Sequence, residues 1–176
     1  MKIGIVCPYA YDVPGGVQFH VRDQAEELRR RGHEVSVFAP VETEYSEDGF
    51  VNAGKTFAIP YNGSVARLAF GPRVAARTRQ WVTTSDFDIL HVHEPATPSV
   101  SLIALQHARC PVVGTFHAAL ERSLLYTLGK PVVQSIKEKL SAQIAVSEEA
   151  RRTLQRYQDG DCLLYTSPSP RDATLS

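Results

Sequence analysis

The chain has 176 residues, 43% of them hydrophobic and 22% charged, and its formal net charge is zero. These values suit a single globular domain that buries a core, and they leave no bulk charge to attract nucleic acid or another polyelectrolyte. No apolar run approaches the ~20 residues of a membrane-spanning helix, and the first run breaks at Pro8, too early for a secretory signal.

Short apolar runs rich in β-branched residues alternate with helical patterns along the chain. The predicted strands are residues 3–7, 35–39, 89–93, 112–116 and 144–146, with 56–59 as a weaker candidate. The predicted helices are residues 17–31, 72–82, 99–108, 132–140 and 147–157. Continuous apolar strands are typical of parallel sheets covered on both faces. The order therefore predicts an α/β fold with a doubly wound parallel sheet, which binds ligands at the carboxyl ends of its strands.

The first predicted helix has the clearest pattern. Its apolar stripe, at helical spacing, consists of Val17, Val21, Ala25 and Leu28. On the other side we expect two ion pairs across one helical turn, Glu26 with Arg30 and Glu27 with Arg31. Gly32 is expected to end the helix in a left-handed conformation.

A glycine pair, Gly15 and Gly16, lies between the first strand and the first helix. Glycines let the backbone approach an anion, and a helix start offers amide groups and the positive end of its dipole, so the pair predicts a phosphate pocket. A nicotinamide-dependent oxidoreductase is an alternative, but the loop lacks the G-x-G-x-x-G pattern. An oxidoreductase of this kind would also need an acidic residue at the tip of the second strand. We expect that strand to end at Pro40, and its tip carries no acidic residue.

The third core strand ends with two histidines, His91 and His93, followed by Glu94. The two imidazoles share one face of the strand and could bind a metal, but the spacing supplies no third ligand. We therefore favour His91 packed in the core, with His93 and Glu94 at the cleft. His117 follows the next strand, and its side chain is expected in the same cleft. The sequence leaves a metal requirement open.

From residue 49 to residue 85 the sequence has no Asp or Glu. The cations of this segment are Lys55, Arg67, Arg73, Arg77 and Arg79. The apolar face of its helix is formed by Val74, Thr78, Trp81 and Val82. A basic amphipathic helix is a candidate for an anionic membrane surface, although this pattern alone favours a solvated helix whose Trp81 packs on the sheet. Nucleic acid is disfavoured because the patch is small and Trp81 lies on the apolar face.

Residues 159–176 continue neither a helix nor a strand. Pro168 and Pro170 stand in a Ser-rich context, which predicts disorder, and the segment resembles the translated read-through of a vector end. We expect a folded domain over residues 1–158 and a disordered, non-native tail over 159–176.

Several blocks of the chain together resemble one enzyme family. They are residues 6–18 (VCPYAYDVPGGVQ), 32–40 (GHEVSVFAP), 59–68 (IPYNGSVARL), 71–72, 91–95, 115–117 and 144–147. Over roughly residues 1–157 the chain is similar to the retaining glycosyltransferases of family 4, and within them to the phosphatidyl-myo-inositol mannosyltransferases of actinobacteria. The resemblance implies the Rossmann-like, acceptor-binding N-terminal domain of a two-domain GT-B glycosyltransferase, with the C-terminal donor-binding domain absent from the chain.

The resemblance also implies roles for matching positions. Gly15 and Gly16 would approach the diphosphate of GDP-mannose, and His117 would be the catalytic residue in contact with the transferred mannose. The residues implied to hold the inositol-phosphate headgroup are Tyr9, Gln18, Asn62, Arg67 and Arg122. Arg122 stands where the family has a lysine, and residues 118–121 depart from the family's Thr/Ser-rich segment. Implied membrane contacts are Arg73, Arg77 and Arg79.

The implied activity is transfer of mannose from GDP-mannose to the inositol ring of phosphatidyl-myo-inositol, with no permanently bound cofactor, no protein partner and no nucleic acid. The chain alone is expected to be inactive. A cytoplasmic enzyme at the inner face of the plasma membrane agrees with three cysteines, Cys7, Cys110 and Cys162, that form no even disulfide set. The alternatives are a family member with another sugar or acceptor, a nicotinamide-dependent oxidoreductase, and a non-catalytic binding module.

Overall fold

Nine strands and four complete helices are described in a computed structural model, which covers residues 1–61, 64–117, 136, 138–157 and 163–164. The strands are β1 (Lys2–Val6), β2 (Glu34–Val41), β3 (Phe50–Lys55), β4 (Phe57–Tyr61), β5 (Ser64–Leu68), β6 (Ile89–His93), β7 (Val112–Phe116), β8 (Ala142–Ala145) and β9 (Leu163–Leu164). The helices are α1 (Gly16–Arg30), α2 (Pro72–Thr84), α3 (Val100–His107) and α4 (Glu148–Tyr157).

Seven of the strands form one parallel sheet in the order β3-β2-β1-β6-β7-β8-β9. The chain moves outward from β1 in one direction and then returns to build the other half, which is the doubly wound order that the sequence predicts. The bounds predicted for β6 and β7 are confirmed, because both strands are short runs of mostly β-branched and apolar residues with clear ends.

The two faces of the sheet carry separate cores because alternate residues of a strand point to opposite sides. In β1, Ile5 packs with Val21 and Ala25 of α1. Its neighbour Val6 packs on the opposite face, in the core that includes Trp81 of α2. A helix layer on each face leaves the strand ends as the open edge where a ligand can reach the sheet.

The segment between β3 and α2 departs from the predicted pattern. Residues 56–59, the weak strand candidate, fall in β4, which pairs with β5 as a separate antiparallel hairpin. This hairpin joins the loop after β1 through a bridge between Tyr9 and Leu68 and a hydrogen bond from the Ala10 amide to the Arg67 carbonyl (3.0 Å). β3, which the sequence did not predict, extends the main sheet.

In helix α1 the predicted apolar stripe is confirmed, and one of the two predicted ion pairs is wrong. Val21 and Ala25 are buried, and Gly32 has the expected positive φ of 84°. The Glu27 carboxylate accepts hydrogen bonds from Arg30 (2.7 Å) and from Arg31 (2.6 Å). The predicted pairing of Arg30 with Glu26 is therefore wrong, since Glu27 binds both guanidinium groups.

The predictions for the tail and for the helix over residues 132–140 fall only partly within the described residues. Leu163 and Leu164 form β9 beside β8, so the expectation that the tail contains no strand is wrong at these two positions. Residues 158–162 and 165–176 lie outside the described residues. In the helix predicted over 132–140, residues 136, 138 and 139 are helical, residue 140 is not, and the others lie outside the described part.

Within the described ranges, every helix is too short or too polar to cross a bilayer.

Two glycines with positive φ provide a matched test of backbone strain. At Gly49 (φ 71°) an added Cβ would fall inside the contact distance of the Val35 carbonyl oxygen, whereas at Gly32 it would meet nothing within 4 Å. We expect Gly32→Ala to lower the free energy of unfolding by roughly 1 kcal/mol, the cost of a left-handed residue. Gly49→Ala should cost about 3 kcal/mol, because the backbone must also shift. Urea denaturation measures both, and equal losses would contradict the steric argument.

Candidate active site

The candidate site lies at the carboxyl edge of the sheet, where the loops after β1, β6 and β7 meet. Parallel pairing aligns Val6 with Val92, and His93 with Thr115, so these three strands end together. The loop after β1 leads into α1, His93 closes β6, and His117 follows β7. The site has two parts, a cavity beside the glycine pair and a group of histidines.

The glycine-loop cavity, about 330 Å³ in volume, brings together residues that are far apart in the sequence. The residues with expected roles that line it are Tyr9, Gly15, Gly16, Gln18 and Arg67. Four of these come from the loop after β1 and the start of α1, and Arg67 reaches the cavity from the hairpin. Asn62 and Arg122 lie outside the described residues.

The start of α1 is shaped around this cavity. Gly15 is the N-cap residue, and its carbonyl accepts the first helical hydrogen bond, from Phe19 (2.9 Å). The Gln18 amide folds back over the loop and donates to the Ala10 carbonyl (3.1 Å), in space that a Cβ on Gly15 would occupy. A Cβ on Gly16 would meet nothing within 4 Å. The first turn of the helix therefore presents backbone amides to open space, which suits an anion.

Arg67 is held in the cavity wall by an acidic partner that sequence reasoning missed. Its Nε lies 2.6 Å from Oε1 of Glu42, and both side chains are more than a third exposed. The Asp12 carboxylate accepts from the backbone amides of Glu42 (2.9 Å) and Thr43 (2.8 Å). Burial tends to raise the pKa of Asp12, but these hydrogen bonds outweigh it and the pKa is lowered. Asp12 thus fixes the backbone that carries Glu42.

The position of Glu42 contradicts the expectation that no acidic residue lies at the tip of the second strand. β2 continues past Pro40 to Val41, so an acidic residue does follow the tip of the second strand. Its carboxylate is paired with Arg67. The absence of an acid at this place is therefore not a valid ground for excluding a ribose-binding site.

The histidine cluster, defined as His20, His91, His93 and His117, occupies the other part of the site. The rings of His91 and His93 stack with centroids 4.8 Å apart, and the His93 ring lies 5.1 Å from that of His117. His93 Nδ1 is 2.8 Å from His117 Nε2. The ring of His20, on α1, approaches His117 edge-on at 5.0 Å. His93 and His117 are neighbours, as predicted, but His93 is fully buried, so its predicted position at the cleft is wrong.

Hydrogen bonds occupy both nitrogens of the two strand histidines. His91 Nδ1 and Nε2 lie 2.8 Å from Gln24 Nε2 and 2.7 Å from Thr115 Oγ1. His93 Nε2 lies 2.9 Å from Gln24 Oε1, and its Nδ1 meets His117. The pair therefore has no nitrogen left for a metal, as the packed interpretation of His91 predicts. Among the described residues, no group of three or more His, Cys, Asp or Glu side chains is arranged so that it could hold a metal ion.

Burial keeps the cluster uncharged. Desolvation, with a smaller contribution from His20, lowers the pKa of His91 to about 4 and that of His117 to about 3. Desolvation followed by the neighbouring rings lowers the pKa of His93 well below its usual value. Desolvation also lowers the pKa of His20, against the attraction of Asp23. These imidazoles can donate and accept hydrogen bonds at neutral pH, but they carry no positive charge.

Glu94 fixes the position of His117 through the backbone. Its carboxylate Oε1 accepts from the His117 amide (2.7 Å), and its own amide donates to the Thr115 carbonyl (2.8 Å). Glu94 is 6% exposed and has a positive φ of 49°, an uncommon conformation for a residue with a side chain. This strained residue locks the ends of β6 and β7 together.

Helix α2 buries the predicted face and exposes the predicted cations. The buried residues are Val74, Thr78, Trp81 and Val82. Trp81 stacks on Phe38 with ring centroids 4.7 Å apart, which confirms its expected place on the sheet. The exposed cations are Arg73, Arg77 and Arg79. Arg77 donates to the Asn52 carbonyl (2.9 Å).

The family model described as Glycosyltransferase Family 4 matches residues 14–162. The chain belongs to this family. It is 50% identical over 153 residues to a phosphatidyl-myo-inositol mannosyltransferase of Mycolicibacterium smegmatis, covering 86% of this chain and 40% of that protein. It is 37% identical over 165 residues to the enzyme of that name from Propionibacterium freudenreichii, covering 89% and 43%. This family-4 chain thus spans about 40% of the length of the curated relatives it matches.

Solved structures support the Rossmann-like fold of this family-4 glycosyltransferase chain. A sucrose-phosphate synthase structure from Thermosynechococcus elongatus aligns with a TM-score of 0.60 at 15% identity, over 99% of this chain and 93% of that one. MurG of Acinetobacter baumannii aligns with a TM-score of 0.57 at 12% identity, over 96% and 46%. At these identities the similarity concerns the fold alone.

The buried His91 predicts a pH-dependent stability. Unfolded His91 binds a proton below about pH 6.5, but the folded residue does so only below about pH 4. Its contribution is therefore complete above pH 6.5 and is lost as the pH falls toward 4. Between pH 7 and 5 the loss should be about 2 kcal/mol for this residue. Urea denaturation at a series of pH values measures it.

The variant His91→Gln should reduce the pH slope of the unfolding free energy by that amount. Thr115→Val provides the control, because it removes a hydrogen-bond partner of His91 but keeps the titrating ring. It should lower stability at all pH values and largely retain the slope. An unchanged slope in His91→Gln would contradict the argument.

Proposed function

We propose that the chain supplies the acceptor-binding part of a glycosyltransferase that moves mannose from GDP-mannose to the inositol ring of phosphatidyl-myo-inositol. The observation that carries the proposal is the glycine-loop cavity, where Tyr9, Gln18 and Arg67 meet beside the first turn of α1. A guanidinium, an amide and a phenol are the groups expected for a phosphate joined to a polyol. Relatives up to 50% identical carry the name phosphatidyl-myo-inositol mannosyltransferase, which supports this acceptor.

The amides at the start of α1 suit the departing diphosphate. Glycosyl transfer places growing negative charge on the leaving group, and oriented amides stabilise it without a proton transfer. The open space over Gly16 would let that group approach the backbone. Gly15 and Gly16 are accordingly our proposed donor contacts.

His117 is proposed as the catalytic residue that contacts the transferred mannose. Its pKa is lowered to about 3 by burial, so the ring is neutral at physiological pH and suits a hydrogen bond to a sugar hydroxyl. The bond from its amide to Glu94 fixes its backbone just after the carboxyl end of β7. The proposed reaction needs no permanently bound cofactor, and the nucleotide sugar is a substrate.

Helix α2 is proposed to face an anionic membrane surface. Arg73 and Arg79 are exposed in a segment without acidic residues, and the hairpin that precedes α2 in this segment exposes Phe57 and Val65. Exposed cations and exposed apolar side chains are typical of surfaces that bind peripherally to anionic lipid. We accordingly propose that the enzyme works at the cytoplasmic face of the plasma membrane, where the proposed lipid acceptor would be reached. We expect no turnover of GDP-mannose by this chain alone, because a second domain is proposed to make most of the contacts with the nucleotide.

Headgroup binding tests the proposal at Arg67. Calorimetric titration of the chain with inositol 1-phosphate should show binding, and Arg67→Gln should weaken it by about tenfold or more, because a charge-assisted contact to phosphate is lost. The control Arg31→Gln removes an equal charge at the opposite end of α1, where Arg31 pairs with Glu27. Equal affinity of the Arg67 variant and the control would refute the acceptor site.

Vesicle sedimentation tests the membrane surface. The chain should bind vesicles rich in phosphatidylinositol at low salt and dissociate as salt is raised, because exposed charges are screened. Replacing Arg73, Arg77 and Arg79 together by Ser should reduce the bound fraction severalfold. Replacing three exposed arginines elsewhere, Arg30, Arg31 and Arg152, should leave it nearly unchanged. An equal loss in both triple variants would mean that net charge, not helix α2, governs binding.

A further inference from the structure

Gln24 connects helix α1 to the histidine cluster in a way that neither its sequence position nor the proposed function requires. Its side-chain amide bridges two rings, with Nε2 at 2.8 Å from His91 Nδ1 and Oε1 at 2.9 Å from His93 Nε2. His93 in turn lies 2.8 Å from His117 through Nδ1 and Nε2. A continuous chain of hydrogen bonds therefore runs from Gln24 to the proposed catalytic residue.

The amide gives this chain a direction, because its nitrogen only donates and its oxygen only accepts. His91 Nδ1 must accept from Gln24, so the proton of that ring is on Nε2, where it is donated to Thr115. His93 must donate from Nε2 to the Gln24 oxygen, which leaves its Nδ1 as an acceptor. His117 must then donate from Nε2 to His93.

These hydrogen-bond directions require that each imidazole is neutral and carries a single N–H proton. His91 is 7% exposed and His93 is fully buried, and desolvation lowers the pKa of both well below neutrality. With neutral rings, moving the His117 proton to Nδ1 would bring two bare nitrogens face to face at the distance of a hydrogen bond. Such unpaired buried acceptors disfavour the reversed arrangement by about tenfold or more.

We propose that Gln24 is a positioning residue that fixes, through His93, the nitrogen of His117 on which the proton resides. His117 is held with its proton on Nε2 and with the lone pair of Nδ1 available for an incoming hydroxyl group. The identification of this group as a hydroxyl of the transferred sugar rests on the proposed function. The tautomer itself does not depend on it.

The arrangement is more specific than packing requires. An apolar side chain at position 24 would fill space between α1 and the sheet, but it would leave the His93 Nε2 proton without an acceptor. His93 could then place its proton on Nδ1 and donate it to His117 Nε2, which moves the proton of His117 to Nδ1. A change on α1 would thus be transmitted across two rings and reverse the polarity of His117.

Nitrogen NMR of the histidine-labelled chain tests the proposal, because the proton-bearing and bare ring nitrogens have well-separated resonances. In the wild-type chain His117 should carry its proton on Nε2, with a scalar coupling across the hydrogen bond to His93 Nδ1. Gln24→Met should populate the Nδ1 tautomer of His117 and change the tautomer ratio about fivefold or more. Gln24→Glu keeps an oxygen acceptor toward His93, so the Nε2 tautomer should be retained.

The matched control is Gln80→Met, the same substitution at an exposed position of α2, which should leave all histidine tautomers unchanged. Amide spectra of each variant verify the fold. A wild-type His117 protonated on Nδ1 would overturn the proposal, and so would a folded Gln24→Met chain with the wild-type tautomer. If Gln24→Met fails to fold, the other two measurements test the proposal. Absence of the coupling in the wild-type chain, or a Gln24→Glu chain with the His117 proton on Nδ1, would then overturn it. Loss of inositol phosphate binding would leave the tautomer result standing, so the two proposals fail separately.

Discussion

The parallel register of β1, β6 and β7 is the constraint on which the site depends. Because the three strands run in one direction and end at the same level, the loops that follow them must meet at one edge. His93 and His117 are 24 residues apart in the sequence, yet they share a hydrogen bond. A shift of one residue in the pairing of β6 would turn both of its histidines to the opposite face.

Burying polar rings in a sheet has a cost that the surroundings must offset. A histidine in an apolar core is tolerated when its nitrogens have partners, and unpaired groups there are destabilising. This demand explains the contacts from α1, from β7 and from His117, which follows β7. Thr115 on β7 and Gln24 on α1 contact His91, and His93 lies between Gln24 and His117. The site is consequently built into the core rather than placed on a mobile surface loop.

The sequence was sufficient for features with a local signal. Continuous apolar runs located β6 and β7, and helical spacing identified the buried face of α2 around Trp81. The glycine pair marked the entry to α1 because two glycines between an apolar run and a helical pattern indicate a turn. The resemblance, rather than these local signals, implied that Tyr9, Gln18 and Arg67 belong to one site.

Features that depend on tertiary contacts were missed. β3 has weak hydrophobic character, and it is a strand because it completes the edge beside β2. β9 is only two residues long and depends on β8 as its template. The role of Glu42 had no local signal, because its partner Arg67 approaches it from a hairpin 25 residues later. Gln24 showed no pattern, since its role arises only when α1 lies across the ends of two strands.

The lowered proton affinity of the buried imidazoles also determines how the site responds to acidification. His91 and His117 take up protons only near pH 4 and 3, so neither acts as a buffer in the physiological range. Their contribution to the electrostatic potential over the cleft is the same at pH 8 as at pH 6. These two buried rings thus supply polar groups to the site without adding positive charge to it between pH 6 and pH 8.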